Sequence, residues 1–276
     1  MGKYCLFFLF IFLHPIPDCL GQKDTTIALD IAGLSLENPI GLGGFFGTAC
    51  IGIAGQNRTR SAENRASGGR NADANAGIYV GLGDPVKYIG IGTSLGIYGL
   101  SGAHGTSGNL GESGLNIDVS KLLFKILFVK AGIDNVAFWG VTKESISAQK
   151  SYYGAGTIFL VSKNKKLGAA YSYIAVTVGA GNGLYRRDKD FTPVSSGYFN
   201  PFFSIAVPVF YKTNAIVEWT GYDISTGIST VVKLSKKQSF GVNLEIADYL
   251  LGCPRLALSI AYSFSYINNR YHEIKK

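Results

Sequence analysis

The stretch Leu256-Ala-Leu-Ser-Ile-Ala-Tyr-Ser-Phe-Ser-Tyr266 alternates large apolar and small side chains along its whole length. A period of two residues is that of a β-strand, whose successive side chains point to opposite faces. The stretch also has the length of about ten residues that a tilted strand needs to cross a bilayer, whereas ordinary strands average about five or six. Its small face (Ala and Ser) suits the crowded inside of a closed barrel, because a soluble sheet would present Lys, Glu and Thr to water.

The same alternation recurs along the chain and predicts twelve strands. They are expected at 45–56, 75–83, 87–99, 113–121, 124–135, 151–162, 168–180, 199–211, 214–223, 227–235, 238–248 and 256–267. Long and short connections alternate between them, and the short ninth connection at 225–227 is the exception. Outer-membrane barrels have this alternation because one rim carries turns and the other carries loops. The predicted fold is all-β, a closed antiparallel up-and-down transmembrane β-barrel of about 12 strands with both ends in the periplasm.

The composition agrees with a barrel but does not decide it. The chain is 47% hydrophobic and 16% charged, with 36 Gly, 16 Tyr and 17 Phe. After Gln22 no apolar run approaches the roughly 20 residues of a transmembrane helix, so the apolar content is spread as alternation. A soluble secreted β-protein such as a sandwich has a similar composition. The alternation of connection lengths favours the barrel.

The chain divides into four parts. Residues 1–21 read as a signal peptide, with Lys3, an apolar run from Cys5 to Leu13 and small residues near Gly21. Residues 22–44 form an N-terminal segment that lies in the periplasm or plugs the lumen. Residues 45–267 form the barrel, and residues 268–276 form a polar C-terminal tail. The expected location is therefore the bacterial outer membrane, reached by export.

Few charged residues are predicted to face the lumen. They are Asp118, Lys130, Glu218, Lys233 and Glu245. Asp118 and Lys130 lie on neighbouring strands, and the strand of Lys233 lies between those of Glu218 and Glu245, so cross-strand ion pairs are expected. Such pairs hold the wall together, or they form a polar constriction of mixed sign that selects solutes.

Two of the long connections are basic, and the net charge of the chain is +8. The basic loop residues are Arg58, Arg60, Arg65, Arg70, Arg186, Arg187 and Lys189. They are expected either to attract anionic solutes or lipopolysaccharide phosphate, or to form a solvated charge cluster. No nucleic-acid-binding motif accompanies the charge, so nucleic acid is not an expected partner.

Two cysteines remain after the signal, Cys50 and Cys253. They are predicted near the loop rim on strands that become neighbours when the barrel closes, so a disulfide across the seam is possible. No cofactor, metal site or catalytic residue is expected. Only three histidines exist, and His104 lies in a glycine-rich loop that could not hold a nucleophile rigidly. The chain is therefore predicted not to be an enzyme.

Five stretches together resemble a functionally uncharacterised family of bacterial outer-membrane β-barrel proteins of the cyanobacterial type. They are Gln56-Asn-Arg-Thr-Arg60, Gly81-Leu-Gly-Asp-Pro-Val-Lys-Tyr-Ile-Gly90, Val178-Gly-Ala-Gly-Asn-Gly-Leu-Tyr-Arg186, Glu218-Trp-Thr-Gly-Tyr-Asp223 with Gly227-Ile-Ser229, and Ala261-Tyr-Ser-Phe264. The resemblance implies a barrel in the outer membrane. It implies no substrate and no catalytic residue.

The predicted function is porin-like passage of small polar or anionic solutes. The alternative is an occluded structural or adhesive barrel that binds a partner through its basic loops. Filling of the lumen would favour this alternative, either by residues 23–44 or by inward tyrosines. The tyrosines considered are Tyr79, Tyr88, Tyr98, Tyr152, Tyr171 and Tyr173.

Overall fold

The computed structural model describes residues 31–58, 72–100, 112–140, 150–163, 166, 169–185, 198–250, 252 and 254–266. Within these ranges the chain forms a closed barrel of twelve antiparallel strands, in which every strand pairs with its neighbours in sequence and β1 pairs with β12. The predicted fold class is therefore confirmed. The strands are β1 Thr48–Gln56, β2 Asp73–Gly81, β3 Gly90–Tyr98, β4 Glu112–Leu123, β5 Leu127–Trp139, β6 Ser151–Val161, β7 Tyr173–Gly181, β8 Asn200–Phe210, β9 Thr213–Trp219, β10 Ile224–Ser235, β11 Gln238–Ala247 and β12 Arg255–Ser265.

The chain passes from strand to strand at two rims. At the short-turn rim the connections are 82–89, 124–126, 162–172, 211–212 and 236–237. At the long-loop rim they are 57–72, 99–111, 140–150, 182–199, 220–223 and 248–254. The ninth connection lies at 220–223 instead of the predicted 225–227, because Ile224 and Ser225 already pair with Trp219 and Glu218. The barrel begins at Thr48 and ends at Ser265, both at the short-turn rim.

The outside of the barrel is apolar. The outward positions of β1 and β12 show the pattern, since Ile51, Ile53, Leu256 and Leu258 are all exposed. Exposed aromatic residues surround the short-turn rim, as in the interfacial girdle of a membrane barrel. They are Phe46, Tyr88, Phe124, Tyr171, Phe210, Tyr211 and Tyr266.

Over the described part of the chain, no helix combines the length and the apolar character needed to cross a membrane.

The inside of the barrel has two unlike halves. On β5 to β8 the inward side chains include large aromatics, among them Phe128, Phe159 and Tyr173, which pack edge to face. On β1, β2, β3, β11 and β12 most inward side chains are small. Inward residues of this half are Cys50, Gly52, Ala54, Gly77, Ser94, Gly96, Gly241, Ala257, Ser259, Ala261 and Ser263. The lumen is therefore crowded on one side and roomy on the other.

Residues 31–44, which we call the lumen segment, pack against the crowded half. Leu34 is buried in one cluster with Phe128, Phe159 and Tyr173, and four further apolar residues of the segment pack on that cluster. These four are Ile31, Leu36, Ile40 and Leu42. Burial of this apolar surface, at about 25 cal/mol per Å², holds the segment to one wall.

The predicted inward tyrosines divide evenly. Tyr79 and Tyr98 line the inner space, and Tyr173 is buried in the cluster described above. Tyr88, Tyr152 and Tyr171 are instead exposed, so their prediction as lumen residues was wrong. Tyr88 and Tyr171 belong to the short-turn connections, and Tyr152 has the opposite parity to the inward residues of β6.

Candidate functional site in the barrel lumen

The lumen segment follows a hairpin-like course through the barrel. It is bonded first near the short-turn rim, where Asn214 at the start of β9 donates its Nδ2 to the carbonyl oxygens of Ala32 (3.2 Å) and Gly33 (2.9 Å). It then reaches the long-loop rim, where Asn38 donates to the carbonyl oxygen of Trp219 at 2.9 Å. It returns to the short-turn rim, where Phe45 bridges to Gly83. The segment therefore spans the length of the lumen twice.

Glu218 holds the tip of this hairpin. Its carboxylate accepts hydrogen bonds from the Ser35 hydroxyl, from the Leu36 amide at 3.0 Å and from the Glu37 amide at 2.7 Å. The Asn38 amide donates back to the Ser35 hydroxyl at 3.1 Å, which closes a local turn. Glu218 is almost fully buried. A buried carboxylate with three donors is a strong anchor, since bonds to charged groups contribute about 1.5–3 kcal/mol each.

Arg255 makes the second anchor of the tip. Its guanidinium donates through Nη2 to Glu37, through Nε to Asp248 Oδ2 at 2.9 Å and through Nη1 to Gln56 Oε1 at 2.7 Å. Arg255 therefore ties the segment to β1 and to the connection before β12. The prediction missed Arg255 because it began the last strand at residue 256 and so left Arg255 in the connection before that strand. The parity of the strand could have revealed it, since Arg255, Ala257 and Ser259 share the inward face.

The returning limb is bonded by its backbone. The Gly41 amide donates to Thr157 Oγ1 at 2.8 Å, the Ser120 hydroxyl donates to the Gly43 carbonyl oxygen at 2.7 Å, and the Gly44 amide donates to the Tyr79 hydroxyl at 2.6 Å. Gly41 lies so close to the wall that a Cβ there would overlap the carbonyl oxygen of Phe128. Gly44 has φ +66°, a conformation that favours glycine. Glycine is therefore required for this limb to lie flat against the barrel wall.

Three carboxylates meet near the tip. Glu37, Glu218 and Glu245 each offer an oxygen atom within 4.8 Å of the others, and Oε1 of Glu245 is buried without a hydrogen-bond partner. Carboxylate oxygens are ligands for hard cations. Here Glu218 already accepts three bonds and Glu37 pairs with Arg255, so these two carboxylates hold the lumen segment to the wall.

A separate polar cluster lies on β4 and β5. Asp118 and Lys130 were predicted on neighbouring strands, and Lys130 Nζ lies 3.5 Å from Asp118 Oδ1, with both side chains largely buried. In the connection after β7, the Tyr185 hydroxyl donates to Asp134 Oδ2 at 3.4 Å. Burial, with Asp134 nearby, raises the pKa of Tyr185 well above its ordinary value. Tyr185 is therefore a neutral hydrogen-bond donor at any physiological pH.

Lys233 does not join the two glutamates as expected. On β10 it pairs in register with Ser239, whereas Glu245 pairs with Gly227, six residues away. This corresponds to roughly 20 Å along the strand. The prediction placed the three residues on adjacent strands correctly but took no account of their height. Arg255 is the cation that lies near the glutamates.

The predicted disulfide is also corrected. Cys50 carries a free thiol. It lies near the short-turn rim, opposite Ser263 on β12, whereas β12 begins with Arg255 at the other rim. Ser263 and Arg255 are roughly 26 Å apart along the strand, far beyond the Cα separation of about 7 Å that a disulfide permits. Cys253 itself lies outside the described residues.

Most of the predicted basic loop residues also lie outside the described part of the chain. These are Arg60, Arg65, Arg70, Arg186, Arg187 and Lys189, while Arg58 is described and half-buried. The three histidines likewise fall outside it.

Among the described residues, three of the cavities beside the lumen segment lie on the side of the small residues. The first, of about 260 Å³, adjoins Phe45, Thr48 and Ser263 near the short-turn rim. The second, of about 370 Å³, shares Cys50 and Tyr79 with the first. The third, of about 210 Å³, shares Ala54, Asn75 and Ser259 with the second and reaches Arg255 at the long-loop rim. Neighbouring cavities thus form a row from one rim to the other.

Comparison with solved structures finds other barrels at low similarity. The chain is similar to "KdgM porin in complex with disordered oligogalacturonate", with a TM-score of 0.48 and 9% identity over 80% of this chain and 99% of that one. It is also similar to outer membrane phospholipase A from Escherichia coli, with a TM-score of 0.40 and 10% identity over 82% of this chain and 99% of that one. At these identities the similarity does not extend to solute or chemistry. No family model and no curated protein matches the chain, so its resemblance to the cyanobacterial-type family stays a prediction.

Proposed function

We propose that this chain is an outer-membrane barrel that lets small polar or anionic solutes pass beside a fixed lumen segment. The observation that carries the proposal is the row of three adjoining cavities along β1, β2 and β12. In this proposal residues 1–21 direct export and are removed, and the barrel acts as a passage without catalytic chemistry.

Membrane placement is supported by the barrel surface. An even number of antiparallel strands, an apolar exterior, an aromatic rim and both barrel ends at one rim are features of outer-membrane barrels. A soluble protein would have to expose the same apolar belt to water, and contiguous apolar patches of that kind are rare on soluble monomers.

The wall of the passage offers a polar solute a limited set of bonding groups. The middle cavity is lined by small and apolar residues together with Asn75, Ser94, Asn116 and Ser259, whose amide and hydroxyl groups are the points at which a polar solute would bond. The net charge of +8 and the arginines of the long connections would draw anions to the barrel. The paired charges Asp118 and Lys130 then keep the wall itself locally neutral.

Single-channel recording in planar bilayers tests the proposal. We compare the unaltered chain with Ser259→Trp, which puts an indole into the middle cavity, and with Leu258→Trp, which puts the same group on the outside of β12. We expect the unaltered chain and Leu258→Trp to conduct alike. The conductance of Ser259→Trp should be roughly half that of the unaltered chain or less. The indole is the largest side chain, and it would occupy part of a cavity of about 370 Å³.

Two outcomes would contradict the proposal. Folded barrel that inserts into the bilayer but passes no current would contradict passage altogether. Equal conductance in Ser259→Trp would mean that solutes take another route. A reversal potential that indicates cation preference in a salt gradient would remove only the anionic part of the proposal.

The second candidate function is an occluded barrel that binds a partner. The observation that favours it is the double passage of the lumen segment, anchored by Glu218 and Arg255 at its tip. Insertion without conductance, together with binding of lipopolysaccharide that depends on Arg58, Arg60, Arg65 and Arg70, would support this candidate.

A further inference from the structure

Every connection at the short-turn rim contains at least one lysine. The five connections together hold eight lysines and a single acidic residue, Asp84. The lysines are Lys87, Lys125, Lys163, Lys165, Lys166, Lys212, Lys236 and Lys237, of which Lys165 lies outside the described residues. Lys121, near the end of β4, adds a ninth ammonium group at this level, and its Nζ lies 2.9 Å from the carbonyl oxygen of Lys87. The rim is therefore a ring of positive charge.

Asp84 neutralises little of this ring. Its Oδ1 accepts hydrogen bonds from the amides of Val86 and Lys87, both at 3.0 Å, so the carboxylate is engaged in its own turn. The sequences of the five turns hold eight lysines against this one carboxylate, so their net charge is strongly positive. A ring of like charge on a protein surface costs self-repulsion unless anions bind to it.

Aromatic residues adjoin the lysines in three of the five turns. The pairs are Lys87 with Tyr88, Phe124 with Lys125, and Tyr211 with Lys212. The three rings are among the most exposed in the structure, at 73%, 84% and 72%. Lys212 Nζ lies 5.5 Å from the centre of the Tyr211 ring. Aromatic side chains on a membrane barrel lie at the level of the lipid headgroups, so their lysine neighbours reach the phosphates.

From this arrangement we infer that the short-turn rim binds the headgroups of anionic phospholipids. These lipids belong to the membrane leaflet on the side where β1 begins and β12 ends. The lysines surround the barrel and do not converge on one point, which suits a shell of lipids and not a single soluble anion. Each lysine near an anionic membrane surface contributes about fivefold in binding. The inference rests on the proposed membrane placement, and it concerns the opposite rim from the arginine-rich loops.

Electron spin resonance of spin-labelled lipids tests the inference. The full chain is reconstituted in phosphatidylcholine vesicles that contain a trace of labelled phosphatidylcholine or labelled phosphatidylglycerol. The motionally restricted fraction then gives the relative association of each lipid with the barrel. The test variant combines Lys87→Gln, Lys125→Gln, Lys212→Gln, Lys236→Gln and Lys237→Gln. The matched control loses as much charge at the other rim through Arg58→Gln, Arg60→Gln, Arg65→Gln, Arg70→Gln and Lys150→Gln.

We expect phosphatidylglycerol to be preferred about fivefold by the unaltered chain and by the control, and the preference should disappear in the lysine variant. High salt should weaken it, because screening shortens the reach of surface charges. A preference that is absent from the unaltered chain, or that both variants lose alike, would overturn the inference while leaving membrane placement intact. If neither lipid showed a restricted fraction with any of the three proteins, membrane placement itself would fail, and the inference with it.

Discussion

Replacing Arg255 by Met should release the tip of the lumen segment. Arg255 is buried and donates to Glu37, Asp248 and Gln56, so its loss leaves two carboxylates without their cation. Breaking a buried ion pair from one side costs about 3–5 kcal/mol. A cost of about 4 kcal/mol corresponds to about a thousandfold change in the docking equilibrium.

Hydrogen exchange measured by mass spectrometry reports this release. The amides of Leu36 and Glu37 are bonded to the Glu218 carboxylate, so they exchange only when the tip leaves the wall. We expect peptides that contain them to exchange about a thousandfold faster in Arg255→Met, while the amides of the central strands keep their protection.

A matched control and a rescue make the result specific. Lys121→Met removes a cation at the other rim, where its Nζ lies beside the Lys87 carbonyl oxygen, and should leave exchange at Leu36 and Glu37 unchanged. Adding Glu37→Gln to Arg255→Met removes one stranded carboxylate and should recover part of the protection, about tenfold or more if the coupling is at least about 1.4 kcal/mol. Unchanged exchange at the tip in Arg255→Met, with the barrel folded, would refute the assignment of Arg255 as an anchor.

Three further predictions address the lumen segment, the cavities and the membrane. Gly41→Ala should weaken the binding of the returning limb to the wall by about 1–3 kcal/mol, and residues 31–44 should then be proteolysed faster. The control Gly55→Ala should have no effect, because a Cβ at this position meets nothing within 4 Å. Equal proteolysis of the two variants would speak against a tight fit at Gly41. In a Cys253→Ser chain, Cys50 should react with a small charged thiol reagent, because Cys50 adjoins two of the three cavities. The reaction should lower the conductance. A Cys50 thiol that does not react would indicate a dry lumen. Trp139 and Trp219 lie at the long-loop ends of β5 and β9. Their fluorescence should be quenched more by lipids brominated near the headgroup than by lipids brominated near the end of the acyl chain. The reverse order would exclude an interfacial position.

Strand positions could be predicted from sequence because a closed barrel imposes one simple rule on every strand. Outward side chains are large and apolar, and on β12 the inward ones are small, so the alternation through Leu256 to Tyr266 is visible without neighbours. The height of a residue along the barrel axis is not visible in the same way. It depends on the register between strands, which is set by the connections at both ends of each strand. This is why Lys233 was paired with glutamates roughly 20 Å away, and why Cys50 was assigned to the wrong rim.

The lumen was one of the two predicted locations of the N-terminal segment, but the path of the lumen segment could not be predicted, for a different reason. Thr26-Ile-Ala-Leu-Asp-Ile-Ala-Gly-Leu-Ser-Leu36 has strand-like alternation, but the described part of it pairs with no strand. Its position from Ile31 onward depends on contacts that are remote in sequence, above all with Glu218 and Arg255. Glu218 was identified as an inward charge, but its partners are backbone amides of the segment. No pattern within β9 could have indicated them.

The two unlike halves of the lumen help to decide between two roles of the barrel: a passage beside the lumen segment, or a barrel that the segment only fills. A segment that served only to fill the barrel would be expected to meet large side chains on every side. It meets them on β5 to β8 and leaves small residues opposite, where Asn116 donates to Ser94 and Asn243 donates to Ser259. Polar groups of this kind can hold water beside the segment, as the proposed passage requires.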